Sequence, residues 1–439
     1  MSLRRLALRP VDTARRQRPQ GEADQPAPLA APQAVVARAG LAPCLRLASA
    51  LLVLLVLAAA LVGGTLYARA LERQTIHALA PHRFDQKDRG VALQAEAFRQ
   101  PDLLPLYGAS ELGYGGESNP RLIFESYPTG FNVFVVGNGG ETAIIYLQAL
   151  AAVGPELQGK KVAITFTPDE FIRDVPESYY VGNFSRLHAY AAVFDPRLSF
   201  GLKQQIARRM LDYPVTLKGD PLLAFSLQRL IGGSLVDQAL YLAAVPLGQL
   251  QLAVLRAQDH WATYWELESR ITILGEPRRV PARLDWAALR AQAEQSARER
   301  AGDNPFGFEA HYWHRVAPEI RRQKERPRDD AFAARLEATG FSDLELLLQA
   351  LNAWQARPLL LVPPLPGAYY TYLGVSPESR ARFYQRLADL GQRYGVEIDS
   401  FADHDQDRYF VEDRSGHPSP KGWIYLDEAL DRFFHRPAG

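Results

Sequence analysis

Cysteine is nearly absent from this 439-residue sequence, which contains only Cys44. One thiol cannot form an intramolecular disulfide, and it cannot supply the several thiolates of a structural zinc site. No group of His, Asp and Glu shows the spacing of metal ligands. The sequence therefore predicts a fold that is stabilised by packing, with no metal and no cofactor.

The chain also has almost no net charge, because 50 Lys and Arg residues are balanced by 49 Asp and Glu residues. A chain without a strong basic excess cannot neutralise many phosphates, which argues against nucleic-acid binding. The charge is unevenly distributed along the chain. Residues 1–46 contain eight arginines and three acidic residues among many Pro, Ala and Gln. Such a composition cannot form a core and predicts a disordered cytoplasmic tail.

A charge-free run, LASALLVLLVLAAALVGGTLY, follows at residues 47–67. Its length matches one helix across the ~30 Å hydrocarbon core of a bilayer. A cleaved signal peptide is the alternative, but such peptides are shorter and lie near the N-terminus. The preceding arginines predict a cytoplasmic N-terminus. We therefore expect a single-pass anchor in the cytoplasmic membrane, with residues 68–439 forming a periplasmic or extracellular domain.

Short apolar runs alternate with helical patterns in this domain. The runs are nearly free of charge, as in strands of a parallel sheet that is covered on both faces. The predicted strands are residues 103–108, 132–137, 161–168, 358–364 and 396–402, and the helices around them are 141–153, 343–354, 377–395 and 421–434. The sequence predicts an α/β fold with three layers, α/β/α, around a doubly wound parallel sheet.

A long helical pattern at residues 203–300 interrupts this alternation. Several prolines, including Pro246, act as punctuation within it. We expect a helical insertion whose Leu and Ala stripes are ordinary packing surfaces. A membrane-facing or partner-facing surface is the alternative. Residues 235–255 are apolar, but Asp237, Gln238 and Pro246 interrupt them, so a second membrane span is not expected.

A lone serine, Ser110, follows the first predicted strand in LPLYGASELGYGG, residues 104–116. It either belongs to a simple turn or is a nucleophile at the sheet edge where open α/β sheets bind ligands. A nucleophilic serine needs a histidine to take its proton and an acid to orient that histidine. Of the nine histidines, His417 lies in a polar loop before the last helix, with Asp413 four residues upstream, and His404 is the weaker alternative.

A glycine-rich turn follows the second predicted strand. It consists of Gly137, Asn138, Gly139 and Gly140 and stands at the start of a predicted helix. Its backbone N–H groups suit an oxyanion or a bound substrate, although glycines also serve simply to make a turn. We expect it to face Ser110 at the same sheet edge.

Several stretches together resemble the DltD family of membrane-anchored proteins of the D-alanyl-lipoteichoic acid pathway, whose fold belongs to the SGNH-hydrolase group. The resemblance spans about residues 47–435. Its motifs are GASEL (108–112), VVGNGGETAIIYLQAL (135–150), DNPFGFEAHYW (303–313), the run from SDLELLLQAL (342–351) to residue 387, and YFVEDRSGHPSPKGWIYLDEAL (409–430).

The resemblance implies roles for particular residues. Ser110 would be the nucleophile, His417 the general base and Asp413 its orienting acid, which makes the protein an SGNH-type serine acyltransferase or thioesterase. Three residues separate Asp413 from His417, where the family usually has two, so Glu412 remains the alternative acid. The implied partners are a membrane-bound O-acyltransferase, a D-alanyl donor and an envelope polymer such as teichoic acid as acceptor.

Two other functions remain open at this point. One is an exopolysaccharide O-acetyltransferase or esterase of the SGNH type. The other is a non-catalytic scaffold that docks a carrier protein or a membrane partner, for which the anchor and the helical region at 203–300 are the best support.

Overall fold

The computed structural model describes residues 41–80, 90–127, 129–270, 284–323 and 327–437. Most of the predicted tail therefore lies outside the described residues. The chain divides into two compact units, Met1–Ala59 and Ala60–Gly439. Helix α1 (Leu41–Leu79) contains the predicted anchor. It is long and apolar enough to cross a membrane, and none of its most apolar window is buried, so it is compatible with a single-pass anchor.

Five parallel strands form one sheet in the order β2-β1-β3-β4-β5. They are β1 (Leu103–Tyr107), β2 (Asn132–Val136), β3 (Lys161–Thr165), β4 (Arg357–Leu361) and β5 (Glu397–Asp399). Four of them lie within runs that were predicted as strands, β4 begins one residue before its predicted run, and the predicted α/β class with a parallel sheet is confirmed. The observed strands are shorter because their last predicted residues turn into the loops at the sheet edge.

The remaining regular elements are helices, several of which begin at a residue that caps them with its side chain, as Asn119, Ser199 and Ser419 do. They are α2 (Val91–Arg99), α3 (Pro120–Ser126), α4 (Ala143–Val153), α5 (Glu177–Asn183), α6 (Arg186–Phe194), α7 (Phe200–Leu211), α8 (Pro221–Gly232), α9 (Leu235–Arg270), α10 (Trp286–Ala301), α11 (Ala310–Arg322), α12 (Asp329–Leu336), α13 (Thr339–Ala353), α14 (Gly367–Tyr372), α15 (Pro377–Tyr394) and α16 (Pro420–His435).

Alternate strand residues belong to two separate cores, one on each face of the sheet. Phe134 and Val136 of β2 belong to the larger core, which α4, α7, α13 and α15 also build. Val133 and Val135 of the same strand belong to the smaller core, together with α3 and α16. Because side chains alternate between faces along a strand, this division shows helices on both faces of the sheet. The protein therefore has three layers.

The helical region between β3 and β4 differs from expectation at one proline. Pro246 was expected to interrupt the apolar run at 235–255, but it lies inside the continuous 36-residue helix α9. Pro246 and Leu242, whose carbonyl loses its helical partner, are both on an exposed side of the helix. The buried side of α9, which includes Tyr241 and Leu252, packs against α2, α6 and α8. By length and composition alone, α9 is also a second candidate membrane span.

The strand order creates a switch point between β1 and β3. The chain passes from β1 to one neighbour, β2, and then returns to the other side as β3. Open α/β sheets bind their ligands in the crevice at such a point, outside the carboxyl ends of the strands. The loops after β1 and β2 approach very closely here, since a Cβ on Gly137 would overlap the carbonyl oxygen of Gly108.

We predict that Gly137→Ala lowers the free energy of unfolding by about 1–3 kcal/mol, as overpacking at a rigid backbone contact does. Gly139→Ala is the matched control, because a Cβ on Gly139 meets no atom within 4 Å. Denaturant unfolding of the two variants in detergent measures the difference. Equal stability of the two variants would contradict the close approach of the loops.

Candidate active site

Ser110 lies at the start of a 3₁₀ turn, Ser110–Gly113, two residues after the Gly108 that follows β1. The Gly108 N–H donates to the carbonyl of Val136, which fixes this loop to the end of β2. The Ala109 N–H donates to Glu111 Oε1 at 2.7 Å. The backbone around Ser110 is therefore held from two sides, and its hydroxyl is left at the sheet edge.

His417 is supplied by the loop that leads into α16. A bridge pairs Val411 with Pro418 in antiparallel fashion, and the Glu412 N–H donates to the carbonyl of His417. Two residues after His417, Ser419 caps the helix by accepting from the Gly422 N–H. The imidazole is thus held between a small hairpin and a helix start.

The structure brings three of the predicted site residues together. Ser110 Oγ lies 2.8 Å from His417 Nε2, and His417 Nδ1 lies 2.6 Å from Asp413 Oδ2. Both distances are within hydrogen-bonding range. This arrangement can move a proton from a hydroxyl to an imidazole while a carboxylate stabilises the resulting positive charge.

Asp413 is itself held firmly by the backbone of its own loop. Its Oδ1 accepts from the N–H groups of Ser415, Gly416 and His417 at 2.9, 3.1 and 3.2 Å. The imidazole of His417 is also held by packing, because it stacks on the Tyr114 ring with centroids 4.1 Å apart. These contacts leave the imidazole little freedom to turn away from Ser110.

Glu412, the alternative acid, points elsewhere. Its carboxylate pairs with Arg300 Nη2 at 3.1 Å, whereas Asp413 contacts the imidazole. Burial raises the pKa of Glu412 to about 7, although the Arg300 charge lowers it in part. The geometry therefore associates Asp413 with His417. His404, the other histidine that was considered, contacts Asp407 and lies against Phe410.

The pKa of His417 results from two opposing effects. Burial of the imidazole lowers it, but the hydrogen bond and negative charge of Asp413, with smaller contributions from Glu111 and Glu412, raise it above the usual value. A raised pKa in the folded state means that this pair stabilises the fold in full below pH ~6.5. That stabilisation is lost as the pH rises through the folded-state pKa.

The glycine turn contributes less to the site than predicted. Among its four residues, Gly140 lines the cavity beside Ser110, whereas the other three do not. The Gly139 N–H donates to the side chain of Asn138, which in turn bonds to Asn183. Gly137 serves the close packing of the two loops. The turn thus places one backbone amide, that of Gly140, at the site.

A cavity of about 120 Å³ opens beside Ser110 and His417. Its wall is acidic, which the sequence did not indicate, because the residues come from the loop after β3 and the start of α4. Arg173 pairs with Asp169 at 3.1 Å. The lining residues besides the serine and histidine are Ala109, Gly140, Glu141, Thr142, Thr167, Asp169, Glu170, Arg173, Val175, Pro176, Tyr179 and Ser415.

Two carboxylates are buried beneath this cavity. Glu111 Oε1 accepts from Thr165 Oγ1 at 2.6 Å as well as from Ala109, and Glu170 Oε1 accepts from both the N–H and hydroxyl of Thr167. Burial raises the pKa of Glu111. Burial and the neighbouring Glu111 raise that of Glu170 well above its usual value. Burial thus favours the protonated form of both carboxyl groups.

Metal ligation was not expected, and the described residues contain no group of three or more His, Cys, Asp and Glu arranged to hold a metal ion. The chemistry available from these residues is proton transfer and nucleophilic attack by a hydroxyl.

Comparisons with known proteins agree on one family. The family model described as DltD protein matches residues 82–435. Protein DltD of Bacillus subtilis (strain 168) is 26% identical over 363 residues, covering 82% of this chain and 89% of that protein. Protein DltD of Staphylococcus aureus is 23% identical, covering 79% and 84%. Protein DltD of Lacticaseibacillus rhamnosus is 20% identical, covering 79% and 80%.

We predict that Asp413→Asn lowers the pKa of His417, because the largest influence that raises it is removed while burial remains. Titration of the imidazole by NMR on histidine-labelled protein measures this directly. Asp389→Asn, an exposed substitution on α15, is the control and leaves the titration unchanged. An unaltered His417 pKa in Asp413→Asn would show that the carboxylate does not govern the imidazole.

Proposed function

The chain belongs to the DltD family, and on this premise we propose that it is a serine acyltransferase that assists transfer of D-alanine onto a cell-envelope polymer. The observation that carries the proposal is the 2.8 Å contact between Ser110 Oγ and His417 Nε2. The contact of His417 with Asp413 supports it. A solvated turn serine would not need an imidazole and a carboxylate aligned behind it.

The reaction proceeds in two half-reactions. Ser110 Oγ attacks the acyl carbonyl of a D-alanyl donor while His417 takes the hydroxyl proton. The bond to the leaving group then breaks, His417 gives that group its proton, and the acyl group stays on Ser110. In the second half, His417 takes a proton from an acceptor hydroxyl, whose oxygen attacks the acyl-serine. The bond to Ser110 Oγ then breaks, and His417 returns the proton to Ser110 Oγ. Asp413 stabilises the imidazolium in both halves.

Backbone donors stabilise the oxyanion that forms in each half-reaction. The N–H groups of Ser110 and Gly140 belong to residues that line the cavity. Thr167 occupies the position where many SGNH enzymes have an asparagine, but its N–H and hydroxyl both donate to Glu170. Ser110 and Gly140 are therefore the better donors.

The acidic cavity wall favours a D-alanyl group over an acetyl group. D-Alanine carries an α-ammonium, which Asp169 and Glu141 can attract across the cavity. Asp169 is paired with Arg173 at 3.1 Å, so the ammonium would be a second cation beside its carboxylate. An acetyl group carries no cation, so desolvating these carboxylates against it would be unfavourable. The volume of about 120 Å³ suits either small acyl group, so charge is the basis of discrimination.

Membrane location fits the same function. Helix α1 would hold the chain in the cytoplasmic membrane with its N-terminus inside, and the domain from residue 68 would act outside the cell or in the periplasm. A membrane-bound O-acyltransferase would work beside it, with teichoic acid or another envelope polymer as acceptor.

We predict that Ser110→Ala abolishes acyl transfer, with a loss of about 10⁴-fold or more, since removing a triad nucleophile leaves only binding effects. Mass spectrometry after incubation with a D-alanyl thioester should find the acyl adduct on Ser110 in the native protein. Ser126→Ala, an exposed serine at the end of α3, is the matched control. Full D-alanylation in cells that carry only Ser110→Ala would instead favour the scaffold.

We predict that Asp169→Asn reduces the preference for D-alanyl over acetyl esters about tenfold, chiefly by raising the KM of the D-alanyl ester. The matched control is Asp174→Asn, which changes an exposed carboxylate outside the cavity. Steady-state hydrolysis of the two esters gives the ratio of kcat/KM values. An unchanged ratio would contradict the attraction of the D-alanyl ammonium by Asp169, and it would leave the proposed role of Ser110 unaffected.

A further inference from the structure

Helix α9 carries an exposed apolar stripe. The exposed residues are Val236, Leu240, Leu247, Leu250, Val254 and Trp265, with exposures from 39% upward, and Leu247 and Leu250 reach 59% and 63%. Their spacing, built from steps of three, four, seven and eleven residues, places them on one helix face. No charged residue occurs between 238 and 255. Because the opposite face is buried in the domain, the helix is apolar on both sides.

Exposure of a long apolar stripe to water is unfavourable. Soluble proteins rarely expose a long continuous apolar surface, and one that does occur usually marks a membrane or partner contact. The expectation that the Leu and Ala stripes of this region are ordinary packing surfaces thus holds for one face of α9 only.

The stripe reaches the helix that contains the predicted anchor. Gly64 of α1 packs against the ring of Trp261, and the rings of Tyr67 and Tyr264 lie 5.8 Å apart. Near the same place, His260 Nδ1 lies 2.8 Å from Glu72 Oε1. Aromatic residues of this kind are enriched at the boundary between membrane and water. The contact therefore lies at the level where the apolar run at 47–67 ends.

A basic cavity of about 500 Å³ adjoins this contact. Three arginines line it, namely Arg69, Arg99 and Arg256, beside Thr65 and His260. Arg99 is already paired with Glu96 and Glu156. Within the part of the chain that the structure describes, Arg69 and Arg256 have no hydrogen bond or ion pair.

Two acidic residues also line the cavity, but both are occupied. Asp259 accepts from the backbone N–H groups of Val91 and Ala92, and Glu156 pairs with Arg99. Two guanidinium groups thus remain for an anion from outside the chain. Guanidinium groups bind phosphate oxygens well because their donors match the phosphate geometry.

We propose that α9 lies on the membrane surface where α1 leaves the bilayer, and that Arg69 and Arg256 bind the phosphate of a lipid headgroup. The stripe then occupies the boundary between headgroups and acyl chains, as in interfacial helices. A protein partner fits less well, because the stripe continues into the membrane-spanning helix and the cavity beside it is cationic. The proposal does not depend on the chemistry at Ser110.

The position of α9 is tested on the full chain in vesicles. With Cys44 replaced by Ser, Leu247→Cys is labelled with a fluorophore, and quenching by lipids that carry a nitroxide near the headgroup is measured. Gln385→Cys on α15 is the matched exposed control. We expect strong lipid quenching at position 247 and none at position 385. Equal quenching at both positions, with equal access to a water-soluble quencher, would overturn the proposal.

The headgroup site is tested by titrating the detergent-solubilised full chain with phosphatidylglycerol and counting bound lipids by native mass spectrometry. The double variant Arg69→Gln, Arg256→Gln should bind roughly 30-fold more weakly, given about 1 kcal/mol for each basic residue. Arg208→Gln with Arg393→Gln is the charge-matched control. Equal binding by the two double variants would overturn the site, and so would displacement of the lipid by an equimolar amount of inorganic phosphate.

Discussion

The contact between Ser110 and His417 joins residues that are 307 positions apart, and the parallel sheet is what makes it possible. Every strand ends at the same edge, so loops from the first strand and from the last helical connection face one crevice. The close approach of Gly108 and Gly137 fixes the β1 loop, and the backbone of residues 415–417 fixes Asp413. The imidazole is positioned by two rigid loops, and neither loop could hold it alone.

The fold was largely predictable from the sequence because its strands are buried on both faces. Runs such as NVFVV and KVAIT contain no residue that prefers water except at their ends, and they admit few interpretations other than a parallel strand. Pro246 does not break α9 for a physical reason, since a proline on an exposed helix side removes one hydrogen bond whose carbonyl can face water. Ser110, Asp413 and His417 were predicted from chemistry and position, and the structure brings their side chains into contact. The cavity wall was not predicted, because Asp169, Glu170 and Glu141 come from loops whose conformations depend on the whole domain.

The pKa of His417 depends on which of the neighbouring carboxyl groups are ionised. Burial and the neighbouring Glu111 raise the pKa of Glu170 well above its usual value, and burial raises that of Glu412 to about 7. If every acid near the imidazole were fully ionised, the pKa of His417 would rise further and the ring would be a poor base at neutral pH. Protonating the more distant acids leaves Asp413, which is the one in contact, as the main influence on the imidazole. Burial of the other acids favours their protonated forms, which limits the rise in the His417 pKa and keeps more of the imidazole unprotonated.

The proposed specificity elements and the triad are encoded in different parts of the chain. Ser110 follows β1, and Asp413 with His417 precedes α16. The acidic wall around Asp169 and the whole of α9 belong instead to the connection between β3 and β4. Long connections tolerate change because they add surface without disturbing the strands. If the proposed roles hold, change in this one connection would alter the choice of acyl group or the contact of the domain with the bilayer, while the serine, histidine and aspartate keep their geometry.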